Sequence, residues 1–262
     1  MSRNGFALIA VLWVLTALTA LTGAGLLVAR LGSETTRNRV LLARAEWARE
    51  ACGEILLARF AGDPSVRRVD SVDLGRGTWC RAVVDDPAAR LNLNTADREA
   101  IAALLSAISR QPSVAESILA FRRRTTLYDL RQVPGVDSVL AARLAPFVTT
   151  HGTGVVNVNA AAHDVLTTLP GLTEEAVFVL FARREAGRPV QSADELAGAL
   201  SRSSRDVLLG AYPEFVRGAV FVPPQLVVVL EGGVRGMPLV ARATLTAVPV
   251  PGRLAVIRRE TE

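Results

Sequence analysis

The chain has 262 residues and a mass of 27.9 kDa, with half of its residues hydrophobic and a mean hydropathy of +0.31. That is long for one average domain and too apolar for a wholly soluble globule, so a membrane segment is expected. All 30 positive charges are arginine, set against 25 acidic residues, and the two cysteines and two histidines are too few and too far apart for a Cys/His zinc site of the usual spacing or a dense disulfide framework.

Residues 6 to 29, FALIAVLWVLTALTALTGAGLLVA, carry no charge; MSRNG precedes them and Arg30 closes them. At about 1.5 Å per residue this helix spans a bilayer core. A cleaved secretory signal has a shorter apolar region and an A-x-A-like site, and it does not run straight into a charged helix. A plain signal anchor, with Arg3 held in the cytoplasm, fits the length and leaves Gly5 and Phe6 unexplained. The remaining reading is a short basic leader, then Gly5, then Phe6 opening the apolar helix. This order resembles the type IV prepilin leader, in which a membrane peptidase cuts after the glycine and the new N-terminal Phe is methylated.

Beyond the apolar block, Leu31, Leu41, Leu42, Ala45, Ala48, Cys52, Ile55, Leu56 and Phe60 recur at three- and four-residue spacing among arginines and glutamates, and no proline occurs before Pro64. One helix from Phe6 to Phe60 is expected. Most pilin-like subunits carry Glu at the fifth position of the processed chain, where it pairs with the N-terminal amine of the preceding subunit; this chain has Ala10 there. A carboxylate inside a bilayer is costly unless paired, and a first subunit has no predecessor, so Ala10 suggests an initiator or tip subunit. A non-pilin anchor would also lack the Glu.

After Gly62-Asp63-Pro64 come β signals: Val66 to Leu74, a Gly75-Arg76-Gly77 turn, and Thr78 to Val84 including Cys80, stopped by Asp85-Asp86-Pro87. Residues 88 to 217 read as helices, with capping-box spacing at Ser113/Glu116 and Ser192/Glu195. From Val220 the chain returns to β: Leu226 to Leu230, a Gly232-Gly233 turn, Leu239 to Val248, a turn over Pro249 to Gly252, and Leu254 to Ile257. A helical module interrupts a sheet.

The module repeats internally. Leu91-Asn92-Leu93-Asn94-Thr95-Ala96 returns 65 positions later as Val156-Asn157-Val158-Asn159-Ala160-Ala161. Each copy is followed by an apolar helix, then arginines (Arg122 to Arg124; Arg183, Arg184), then an acidic-Leu pair (Asp129-Leu130; Glu195-Leu196). The asparagines are read as satisfying backbone groups where an extended entry turns into a helix.

Val133-Pro134-Gly135-Val136-Asp137 and Leu169-Pro170-Gly171-Leu172-Thr173 look like helix-hairpin-helix turns, which in nucleic-acid binders offer backbone N–H groups to a phosphate. Asp137 and Thr173 replace the second glycine of such turns. Residues 88 to 217 hold 14 Arg and 13 acidic residues, without the basic excess that DNA binding requires. The turns are therefore read as packing devices.

The leader, Ala10, the helical insert with its NLNT and VNVN signatures and the closing strands together resemble the general secretion pathway protein K family, the large minor pseudopilins of bacterial type II secretion. The likeness covers essentially the whole chain. It implies an α+β fold: a pilin-like N-terminal long helix packed on a small antiparallel sheet, with a large all-helical insert of helix-hairpin-helix/SAM-like repeats between sheet strands. The organisation expected is a leader (1–5), a transmembrane and amphipathic helix (6–60), a β region (61–87 and 218–262) and the insert (88–217). The resemblance also implies cleavage between Gly5 and Phe6, N-methylation of Phe6, and a non-enzymatic subunit at the pseudopilus tip, single-pass in the inner membrane with its bulk in the periplasm. Implied partners are the I and J minor pseudopilins, prepilin peptidase and the inner-membrane secretion platform.

Members of that family can bind calcium, but no ligand set in this chain matches; Asp85 and Asp86 read as strand-ending residues. The second reading is a membrane-anchored helix-hairpin-helix DNA receptor of a competence system, against which stand the altered turns, the neutral insert and the extra β region. No nucleophile-base-acid set or phosphate loop occurs, and His151 and His163 read as ordinary polar residues. Cys52 on the long helix and Cys80 on a strand are either a disulfide or two buried thiols.

Overall fold

The computed structural model describes residues 3–63, 67–109, 111, 113–238, 240–250 and 253–261, with side chains from residue 11 onward. Helix α1 (Arg3–Gly62) is unbroken over 60 residues. Its hydroxyl groups do not interrupt it, because Thr16, Thr19 and Thr22 donate back to carbonyls three and four residues earlier.

A hairpin follows. Strands β1 (Arg68–Gly75) and β2 (Thr78–Asp85) join through Gly75, Arg76 and Gly77, all at positive φ. The expected start of β1 at Val66 lies outside the described residues. Asp86 ends β2 as foreseen, by capping a 3-10 turn over Pro87–Ala89.

The next stretch runs β3 (Leu91–Asn92), α2 (Arg98–Ser109), α3 (Val114–Arg122), α4 (Ser138–Leu144) and β4 (Val148–Thr149). It continues with β5 (Val156–Asn157), α5 (His163–Leu166), α6 (Glu174–Glu185), α7 (Ala193–Gly198), α8 (Arg202–Gly210), α9 (Tyr212–Gly218) and β6 (Ala219–Val220). Of the two expected capping boxes, Ser192 does accept from Glu195 N at 3.1 Å. Ser113 makes no side-chain cap bond, because its own backbone is already helical.

Three long strands close the chain: β7 (Leu226–Val234), β8 (Val240–Val250) and β9 (Arg253–Thr261). The main sheet is antiparallel throughout, in the order β1-β2-β7-β8-β9. The whole helical stretch thus departs from β2 and re-enters at its neighbour β7, where Asp85 pairs with Val227. An insertion whose two ends lie side by side leaves the sheet's register intact.

One expectation fails instructively. Gly232-Gly233 is strand, not turn: both lie inside β7, opposite Cys80 and Trp79 of β2. A Cβ on Gly232 would collide with the backbone of Ala45 and Arg49 in α1, and one on Gly233 would lie 2.8 Å from the Trp79 ring. The glycines are there because the helix presses on one face of the strand and an indole on the other. Pro249 and Val250 likewise belong to β8, where Pro249 pairs with Leu254 of β9, and the rest of the expected turn lies outside the described residues.

Two apolar cores result. One joins Ala48, Cys52, Leu56 and Phe60 of α1 to Val69, Cys80, Ala82, Val84, Leu226, Val228, Leu230, Ala247 and Leu254 of the sheet. The other, inside the insert, includes Leu93, Ile101, Leu104, Ile118, Val158, Leu166, Leu180, Leu196 and Phe215.

Candidate functional site

The apolar part of α1 comes first. Its large side chains from Val11 to Leu31, Trp13 included, are exposed, and none of the span's membrane-length window is buried among the described residues. By length and composition it is able to cross a membrane. Gly5, Phe6 and Ala10 lie in the helical stretch, but their side chains fall outside the described residues.

From about Ala45 α1 lies on the sheet, whereas Leu31 and Leu42, expected on the same stripe, are exposed. Ala45, Ala48, Cys52, Leu56 and Phe60 form its buried stripe, and the small residues let it descend onto Gly232. Glu50, beside the stripe, bonds Arg259 of β9 and Arg49, which hold its carboxyl below the usual carboxylate range. Cys52 and Cys80 are both fully buried, free thiols. They share the core between α1 and the sheet, and burial pushes both thiols up.

The opposite sheet face holds a charged row with no local signature along the chain. Arg81, Glu231 and Arg242 are cross-strand neighbours on β2, β7 and β8. Glu231, whose side chain is 7% exposed, bonds Arg81 and accepts from Arg242 at 2.6 Å. The Arg81 contact, aided by Arg242, holds its carboxyl low in spite of burial. The triplet ties three strands together.

In the insert the sequence repeat is a repeated hydrogen-bond lattice. Asn94 Nδ2 donates to the carbonyls of Leu127 and Thr150, both at 2.9 Å, while its Oδ1 accepts from Leu127 N. Asn159 does the same with Val190 and Phe221, at 2.7 and 2.8 Å, and accepts from Val190 N. Arg122 donates to the carbonyls of Leu93 and Ala96; Arg184 donates to those of Val158 and Ala161. The asparagines do satisfy backbone groups, but only Asn92 and Asn157 do so at the expected local entry turn, while Asn94 and Asn159 pin segments tens of residues away. Each unit also ends by pairing its entry strand in parallel with its exit strand, β3 with β4 and β5 with β6.

The copies differ at their first asparagine. Asn92 Nδ2 reaches the carbonyls of His151 and Gly152 in the link between the units. Asn157 Nδ2 instead donates to Asp86 Oδ2 at 2.8 Å, where the sheet ends. Asp86 is 7% exposed; burial raises its pKa, and the Asn157 and Ala88 donors pull the other way. It is the seam between sheet and insert.

The two Pro-Gly turns occupy unlike places in the duplicated unit. Gly135 precedes α4, after the helix bearing Arg122, whereas Gly171 precedes α6, the helix bearing Arg184. Asp137 caps α4 by accepting from Leu140 N at 2.7 Å, and Thr173 caps α6 by accepting from Ala176 N. A Cβ on Gly171 would lie 3.0 Å from Ala211 and 3.2 Å from Leu208 Cα, so that turn is packed against protein. The residues replacing the second glycine serve as helix caps.

His163 pairs with Glu174 at 2.9 Å on the surface, which raises its pKa, and His151 lends its carbonyl to Asn92. Among the described residues no three His, Cys, Asp or Glu side chains gather as a metal-ligating group. Asp85 bonds Arg90 and Asp86 bonds Asn157, so neither of these two is placed as a ligand for the calcium that members of the resembled family can bind.

No protein-family model matches this chain, and no curated protein sequence does. A solved structure does match: a chain of the GspK-GspI-GspJ complex from the Type 2 Secretion System of enterotoxigenic Escherichia coli, with a TM-score of 0.61 and 15% identity over 87% of this chain and 99% of that one. The fold is that of this secretion-system component. The long helix, antiparallel sheet and added helices are therefore the pilin-like α+β arrangement expected. An identity of 15% carries the backbone arrangement and no side-chain role.

Proposed function

We propose that this chain is a minor pseudopilin of a type II secretion system, placed at the tip of the pseudopilus and acting there as a non-enzymatic initiator of assembly. The observation that carries the reading is the unbroken α1, apolar and exposed from Val11 to Leu31, then seated on an antiparallel sheet whose neighbouring strands β2 and β7 are separated by the insert. A membrane helix continuous with the spine of a head lets subunits stack through their helices while the heads pack outside. The likeness to a chain of a three-component complex supports I- and J-type minor pseudopilins as partners. The head would lie in the periplasm, single-pass in the inner membrane, after prepilin peptidase cuts between Gly5 and Phe6 and the platform takes up the methylated chain. The caps at Asp137 and Thr173 and the packed Gly171 turn favour this reading over the DNA receptor, although the Gly135 turn faces open space.

Intact-mass measurement of the membrane-extracted chain tests it. The expected species begins at N-methylated Phe6; a chain retaining residues 1 to 5 overturns the reading. For the tip position, Ala10→Glu is expected to leave pseudopilus assembly unimproved, because a first subunit has no preceding amine to pair with. A strong gain in assembled pseudopili would place the chain elsewhere in the filament.

A further inference from the structure

The two cysteines, alone of their kind in 262 residues, stand 28 positions apart on different elements and meet inside one core. Their meeting follows from the close seat of α1. Gly232 admits the backbone of Ala45 and Arg49, which draws the helix onto β7. Cys80 is the registered neighbour of Gly232 on β2, and β2 alternates so that Thr78, Cys80, Ala82 and Val84 all face the helix. One helical turn past Ala48, the inward position is Cys52. Cys52 lies roughly 35 Å beyond the apolar block, outside any bilayer.

We propose that Cys52 and Cys80 form an intrachain disulfide that staples the assembly helix to its sheet. The proposal rests on the periplasmic placement of the head in the reading above. Two thiols buried in one core, where α1 is seated on β2 and β7, are placed for an S–S bond of about 2.05 Å. In the finished fold both thiols are fully buried and burial raises their pKa, so they are poor nucleophiles; oxidation belongs to the stage before the helix is fully seated. There, one thiolate attacks the disulfide of a periplasmic dithiol oxidant to give a mixed disulfide. The second thiolate displaces it, and the oxidant leaves as a dithiol carrying the two protons. The bond would lock α1 to β2 at the joint through which force on the membrane helix reaches the head.

The test is maleimide labelling of the full chain, taken from acid-quenched cells and denatured, with and without prior reduction. The expected result is no labelled thiol without reductant and two with it, and an oxidised head whose thermal midpoint lies about 5–10 °C above that of the reduced one. Two labelled thiols without reductant, in spheroplasts where added protease digests the head, overturn the disulfide. If the head proves protease-protected, the periplasmic reading fails instead. The disulfide is then decided on the purified full chain refolded in glutathione buffer: formation of the intrachain bond upholds the pairing and two free thiols overturn it. Cys52→Ala and Cys80→Ala, each expected to show one reactive thiol on denaturation without reductant, identify the bond as intrachain.

Discussion

In the sheet region, α1 is held down by contact: small residues of one helix face, apolar side chains of all five strands, and a glycine with no side chain where the backbones come closest. In the insert, short helices surround an apolar core of their own and are held in addition by polar pins, one asparagine and one arginine per unit, bonded to backbone groups tens of residues away. The difference follows from geometry. A long helix on a long strand buries a continuous stripe, whereas helices of four to twelve residues leave many termini whose carbonyls and N–H groups need partners. Apolar contact tolerates a change of side chain better than a change of volume, and a pin tolerates neither.

The largest expected effect is therefore at Gly232. Gly232→Ala places a Cβ against main-chain atoms of α1 that cannot turn aside, at an expected cost of about 3 kcal/mol or more in urea unfolding of the detergent-solubilised chain. Gly198→Ala is the control: open space surrounds that helical position, and the change is expected to be neutral or to stabilise by up to about 1 kcal/mol. Equal effects at the two glycines would break the account of how α1 is seated.

Next come the pins. Asn94→Ala and Asn159→Ala each strip one buried backbone N–H and two carbonyls of their partner, at an expected cost of about 2–3 kcal/mol apiece by the same unfolding measurement. Losses of similar size in both would mark the two units as energetically as well as geometrically equivalent. A loss confined to one would mean that the lattice is repeated in form alone.

The smallest effects are those of pH, and they have opposite signs in the two regions. Asp86, at the insert's seam, has a raised pKa, so its contribution is fully present below the ordinary value of 3.8 and is lost as pH rises through the folded value. Glu231, in the sheet, has a lowered pKa; its contribution is present above 4.5 and is lost as pH falls through the folded value. Urea midpoints taken between about pH 3 and pH 8 are expected to flatten on the high side in Asp86→Asn and on the low side in Glu231→Gln. Removal of the same limb by both substitutions would contradict the assignment.

Much of this was legible along the chain. The uncharged block and the spacing of Ala45, Ala48, Cys52, Leu56 and Phe60 announce one long helix, because a helix writes its buried face at fixed intervals. The 65-residue return of the asparagines announces two like units, and the structure shows Arg122 and Arg184 completing them. Other features left no local trace. The row of Arg81, Glu231 and Arg242 depends on strand register across 161 residues, and Gly232-Gly233 looks like any turn until a helix is laid over it.

The sequence by itself determined the elements of this protein: the membrane-length helix, the strands on either side of a helical insert, and the repeat within it. Each is a local pattern of polarity and backbone preference. Only the tertiary structure decided what touches what: that Gly232 is the seat of α1, that Cys52 meets Cys80, and that Asp86 joins sheet to insert through Asn157. Such contacts depend on the register and close approach of segments far apart in the chain, which no local periodicity encodes.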